Sequence, residues 1–270
     1  MIPGGHMIVV GGGAVTAEAV GDAWGEWLGE GTNLADVRTT LGVEGDPGFP
    51  TDGLVVAWEA TSLDLDDGDF LDEWVDDVRG AVVSTPGGSR PVFRSNIVPV
   101  GSAGGPGVEF NNSPLIWVAP TGLPTGASPS TIVVFAYNCL PTGETYSHLF
   151  HYGSVGVRRA RGLAYDDQWW KTHEWGSSIS SQSYGRDGGP RAIGQQYDGT
   201  AVTLFVNGGK QRSAAATLNT GQTSLAIGGR FDGAEMCKAV IMAVAVWDRV
   251  LTPAENAQVA MHGRLAYGVR

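Results

Sequence analysis

The sequence predicts an all-β fold: a two-sheet antiparallel jelly-roll sandwich with a short C-terminal helix and an N-terminal arm holding one or two short helices. Three observations carry this. The 270 residues include 41 glycines and 14 prolines, enough for many turns and too few for a disordered chain. Beyond Gly53 the text breaks into short β-like runs divided by turn clusters. No βα unit repeats, and a helical pattern closes the chain.

Residues 1–50 read as the arm. Ile8-Val9-Val10-Gly11-Gly12-Gly13 looks like the start of a dinucleotide fold, but Thr16 stands at the third glycine position and no βαβ alternation follows. Val20, Trp24, Trp27 and Leu28 share one helical face, and a second short helix follows with Asn33 as N-cap and Gly42 at its end. Gly21 and Gly25 weaken the first of these, so Trp24, Trp27 and Leu28 are expected to dock on another surface. EGDPGFPTDG then punctuates a junction, and the sandwich is expected over 51–270.

The strand-like runs are LVVAW, RPVFR, GVEF, LIWV, TIVVFAYNC, AVTLFV, SLAIGG and KAVIMAVAVW. Asn207-Gly208 after AVTLFV is a strong hairpin signal. Ala239 to Trp247 is apolar on both faces, so its outer side needs a cover. The tryptophan-bearing arm or a neighbouring subunit is the expected cover, since a bare apolar sheet face aggregates. Thr252, Pro253 and Glu255 form a capping box with proline at the first helical position.

Charge excludes some partners. The net charge is −11, and residues 1–80 hold 17 of the 28 acids against only Arg38 and Arg79. Without clustered bases, nucleic acid is an unsuitable main partner. No apolar run approaches the length of a membrane span, and residues 1–30 lack the pattern of an export signal. Cys139 and Cys237 read as reduced core thiols. Eight acids between Asp64 and Asp77 lack EF-hand order and read as a solvated loop, with Asp72, Glu73, Asp76 and Asp77 in a helical or loop arrangement around Trp74.

Several segments resemble the laminin-G-like, or concanavalin A-like, jelly-roll superfamily over roughly residues 53–269. At the front, GLVVAWEATSLDLDDGDFLDEWVDD is similar to the family's opening strand, polar turn and following W.D, here Trp58, Asp67, Gly68, Asp69, Trp74 and Asp76. At the back, YDGTAVTLFVNGGK, LAIGGRFDG, AVIMAVAVWDRVLTPAEN and RLAYGV stand in the family's order. The resemblance implies modules of phage virion and bacterial surface proteins.

Catalytic chemistry finds little footing. Retaining glucanases of this fold place paired carboxylates on one strand face, and neither E-x-D-x-x-E nor E-x-D-x-E occurs. There is no G-x-S-x-G elbow. His148, His151 and His173 read as polar loop or sheet residues, and a His148/His151 zinc pair would need further ligands. No catalytic residue, metal ligand or cofactor is expected, with one option kept: the resemblance allows calcium at a sandwich rim, and Asp198 and Asp232 sit beside turn glycines.

The most unusual composition lies between Arg158 and Arg191. Trp169, Trp170, Trp175 and Tyr184 offer flat apolar faces, and Arg158, Arg159, Arg161, Asp166 and Asp167 can bond hydroxyls. Because successive strand residues face opposite ways, at most one of Trp169 and Trp170 points inside. The outward one is expected to meet a glycan, the arm or a neighbouring protein. The expected function is a non-catalytic phage virion structural protein, a capsid decoration or minor tail protein made in host cytoplasm. Its expected partners are other virion proteins and a host-surface glycan, within a homo-oligomer or larger assembly. A stand-alone lectin-like adhesin and a glycosidase of concanavalin-like fold are the alternatives.

Overall fold

The computed structural model describes residues 46–97, 104–140, 147–166, 169–174, 178–184 and 189–269. The expected arm helices, with Trp24, Trp27 and Leu28, fall outside the described residues, as do Trp175 and Asp167. In chain order the strands are β1 (Leu54–Glu59), β2 (Glu73–Val75), β3 (Val82–Ser84), β4 (Val92–Ile97), β5 (Gly105–Asn111), β6 (Leu115–Val118), β7 (Ser130–Leu140) and β8 (Ser147–Gly153). They continue as β9 (Ala160–Asp166), β10 (Trp169–Thr172), β11 (Ser180–Tyr184), β12 (Arg191–Tyr197), β13 (Ala201–Val206), β14 (Gly209–Ala215), β15 (Ser224–Ile227) and β16 (Lys238–Trp247). One helix, α1 (Pro253–Tyr267), follows them.

The strands form two antiparallel sheets. The first runs β14-β13-β12-β7-β16-β5-β4, with β1 also paired to β16; the second runs β11-β10-β9-β8-β15-β6-β3-β2. Along β16, one edge pairs with β7, while β5 takes residues 238–241 of the other edge and β1 takes 243–247. This is the expected two-layer sandwich. Between the sheets lie Trp58, Trp74, Phe110, Phe150, Tyr165, Trp170, Ile193, Leu204 and Val244. The β13–β14 hairpin turns on Asn207 and Gly208, both at positive φ (52° and 79°), and Asn207 Oδ1 accepts the Ala192 amide at 2.9 Å. Around Trp74 the structure corrects the expectation of helix or loop: Glu73–Val75 is a strand at the edge of the second sheet.

The apolar outer face of β16 is covered from within the chain, by the C-terminal helix, which was not the expected cover, and by Phe49 at the end of the arm; the arm tryptophans lie outside the described residues. Met242, Ala243, Ala245 and Trp247 pack with Phe135 beneath Val259, Tyr267 and Val269 of the C-terminal segment, and beneath Phe49. Phe49 stacks on Phe135 at 5.6 Å and meets Trp247 edge-on at 5.6 Å; Trp247 Nε1 donates to Pro50 O at 2.8 Å. The alanines leave room for a helix, and a Cβ on Gly263 would meet Phe135 at 3.1 Å, so glycine in mid-helix permits the close approach. The helix starts as read: Thr252 Oγ1 accepts the Glu255 amide, the Glu255 side chain accepts the Thr252 amide, and Gly268 closes the far end at φ 66°.

Candidate functional site

The residues that carry the family likeness at the front prove to be framework. Asp76 is buried, and its carboxylate accepts four backbone amides: Ala57 at 2.8 Å, and Val78, Arg79 and Ala81 at 3.0 Å each. Trp74 fills the interior, and Trp58 Nε1 donates to its carbonyl at 3.1 Å. In the polar turn, Gly68 takes φ 93° and the carboxylates of Asp67 and Asp69 accept the amides of Ser95 and Asp66. Asp198 and Asp232 are also spoken for locally. Asp198 accepts the amides of Thr200 and Ala201, which lower its pKa together with the Thr200 hydroxyl, and Asp232 grips Arg230 at 2.7 and 2.9 Å.

The expected aromatic and basic patch is not one surface. Trp170 points into the sandwich, 2% exposed, with its ring 4.9 Å from Tyr165, whereas Trp169 is half-buried on the opposite side of the strand. Arg161 is fully buried and therefore unavailable to a glycan. Its guanidinium donates to Thr220 Oγ1 (2.7 Å), Ser130 Oγ (2.5 Å) and Gly126 O (3.0 Å), and sits 5.0 Å from the Tyr197 ring. Arg158 and Arg159 are exposed in the β8–β9 turn, separated from Trp169 by the length of β9, roughly 20 Å. Tyr184 lies opposite Trp169 in the β10–β11 pairing, and its side chain is outside the described residues.

Two other arrangements have the build of a site. The first is a groove of about 320 Å³ beside edge strand β2, where Leu63, Leu65 and Val75 provide apolar walls and Asp64, Glu73 and Asp77 provide carboxylates. Desolvation there, then the charge of Glu59, pushes the Asp77 carboxyl above its ordinary range. Apolar walls with a few convergent acceptors suit a polyhydroxylated ligand.

The second is a histidine cluster on the outer side of the second sheet. His148 Nε2 lies 3.2 Å from His173 Nδ1, and His151 Nε2 lies 3.3 Å from the same atom. All three rings are buried. In a regular strand, residues three apart face opposite ways, so 148 and 151 would separate. A bulge between His148 and Phe150 turns them to one side. His173 follows β10, its amide bonded to Gly162 O at 2.9 Å. Gly162 leaves the space that His151 fills, since a Cβ there would stand 2.4 Å from the ring. The segment after β15 roofs the cluster: Phe231 stacks on His151 at 5.0 Å, and Glu235 Oε2 is 3.3 Å from His148 Nδ1. Burial, followed by neighbouring cationic groups, holds His148 and His151 well below the usual imidazole pKa and His173 down to about 4. In the letters His148 and His151 make a pair short of further ligands; that His173 joins them was not legible, because the bulge and the loop that bring the three together are not periodic features.

A laminin-G family model, that of the concanavalin A-like lectin/glucanases superfamily, matches residues 115–256, over half of the chain. The chain belongs to that superfamily. Among solved structures it is similar to a mutant of Trypanosoma rangeli sialidase displaying trans-sialidase activity, with TM-score 0.55 and 16% identity over 81% of this chain and 34% of that one. It is also similar to domain 4 of AbnA, a GH43 extracellular arabinanase from Geobacillus stearothermophilus, solved in complex with arabinotriose. There the TM-score is 0.55 and the identity 14%, over 77% of this chain and 98% of that domain. The chain spans about a third of the length of the sialidase it matches. At these identities the likeness shows the fold. A search of curated proteins finds no significant match.

Proposed function

We propose that the chain is a non-catalytic carbohydrate-recognition module. The observation that carries this reading is the correspondence with nearly the whole of an arabinanase domain solved with a bound trisaccharide, within a superfamily described by lectins and glucanases. The groove of Leu63, Leu65, Val75, Asp64, Glu73 and Asp77 is where we place the glycan: hydroxyls donate to the carboxylates and C–H faces meet the apolar walls. Binding without turnover is supported by how other carboxylates are engaged. Glu59 accepts from Tyr267 and contacts His262, Asp76 takes four amides, and Glu174 accepts from Gln195 at 2.6 Å. An array of plant and bacterial polysaccharides, arabinan included, tests the reading with the intact chain. We expect retention on at least one glycan, no released reducing sugar, and roughly tenfold weaker binding in Glu73→Gln. Sugar release would overturn the non-catalytic reading; retention unaltered by Glu73→Gln but lost in Trp169→Ala would move the site to β10.

For the setting we propose the surface of a phage virion, with residues 1–45 as the tether. What supports the tether is that residues 46–50 are clamped to the sandwich, through Phe49, Pro50 and the Asp46–His262 pair; the virion setting rests on the resemblance to modules of phage virion proteins. Electron microscopy of virions with the labelled protein decides between capsid, tail and neither, and label on neither overturns this setting.

A further inference from the structure

We propose that His148, His151 and His173 bind a divalent transition-metal ion, zinc in the first instance, on the outer side of the second sheet. The proposal is independent of the glycan reading, whose groove lies at the opposite edge of that sheet, beside β2.

Geometry comes first. Two imidazole nitrogens on a tetrahedral zinc, each bonded at about 2.0–2.1 Å, stand about 3.3–3.4 Å apart. The His148–His173 and His151–His173 nitrogens are separated by 3.2 and 3.3 Å. All three ligand atoms lie within 4.8 Å of one another. Closing the third side therefore takes a shift of about 1.5 Å at most, within the reach of a small ring rotation.

Proton accounting points the same way. A neutral imidazole nitrogen carries either one proton or one lone pair. His173 Nδ1 can thus form one well-directed hydrogen bond with a facing Nε2 atom, and the other must share the same proton or lone pair at poorer geometry. A metal ion between them accepts all three lone pairs at once.

The surroundings are built as a support. The Glu235 carboxylate faces His148 Nδ1 at 3.3 Å, the arrangement that orients a metal-bound imidazole and raises its basicity. Arg230 holds the other Glu235 oxygen at 2.7 Å, and Asp232 offsets the charge of Arg230. Lys171, the other nearby cation, is paired with Asp166. Three histidines supply three of the four positions of a tetrahedral zinc site.

The test uses the full chain, stripped with chelator and titrated with Co2+ and then Zn2+. We expect tetrahedral cobalt absorption in the visible range, one ion per chain by elemental analysis, and displacement of cobalt by zinc. Glu235→Gln should weaken zinc binding about 10- to 100-fold, and His173→Gln should abolish the cobalt spectrum while circular dichroism shows the sandwich intact. His6→Gln, in the arm, should bind like the parent. Less than one ion per chain, a cobalt spectrum that survives His173→Gln, or loss of binding only in His6→Gln would overturn the proposal. Should His148 or His151 variants fail to fold, the His173 and Glu235 variants still decide.

Discussion

Asp76 shows how much of a fold a single carboxylate can hold. It gathers amides from β1 and from the turn between β2 and β3, so removing it strands four donors at a buried corner. Asp76→Ala should lower stability by at least about 3 kcal/mol in chemical denaturation; a loss under about 1 kcal/mol would mean that water replaces the carboxylate. The tryptophan and aspartate of this mark were legible as letters, and their work was not, because a hydrogen-bond acceptor is defined by what folds around it. Arg161 makes the same point in reverse. Read in sequence it belongs to a polar patch; in the fold it ties β9 to Ser130 and the Tyr197 ring of the facing sheet. Arg161→Lys keeps the charge but loses the fork that reaches three acceptors, and should cost about 2–3 kcal/mol. An unchanged denaturation midpoint would refute that assignment.

Among the elements, α1 has the most to explain, since it seals the face of β16. Its capping box was plain in the sequence, and Thr252→Ala should cost about 1 kcal/mol. What it covers was not plain. Phe49 completes the seal, and Phe49→Ala should cost about 3–5 kcal/mol by opening a cavity over Phe135 and Trp247. Docking of the helix also depends on pH at both ends. Burial works to lower the pKa of His262, but hydrogen bonds and charge from Glu59 and then Asp46 outweigh it and raise the pKa above 6.5. That contribution is complete below about pH 6.5 and is lost as pH rises through the raised value. At the N-terminus, the Arg249 hydrogen bonds hold the Glu255 carboxyl down to about 2 from 4.5, so its share is present above pH 4.5 and lost as pH falls through about 2. Melting temperature followed against pH should fall on the alkaline side in the parent and much less in His262→Gln. Equal slopes would remove His262 from this role.

On the scale of the whole molecule, the sealed β16 face changes what an assembly has to do. A sandwich whose apolar strand is covered by its own helix needs no companion to cover that strand. Removing residues 1–45 should therefore leave the melting temperature unchanged, whereas removing residues 1–50 should lower it by taking away Phe49 and the Pro50 carbonyl. An equal drop for both truncations would show that the arm itself contributes to the fold.

The sequence by itself determined the class and most of the strands: alternation and apolar runs mark β1, β7, β13 and β16, Asn207-Gly208 marks the hairpin, and Thr252-Pro253 with Glu255 marks the helix. These are local features, set by neighbours within a few residues. Only the tertiary structure decided that the chain's own end covers β16, that Arg161 and Trp170 are interior, and that three histidines from β8 and the end of β10 converge. Each of those depends on a bulge or on surfaces distant in the chain, and neither leaves a period in the letters.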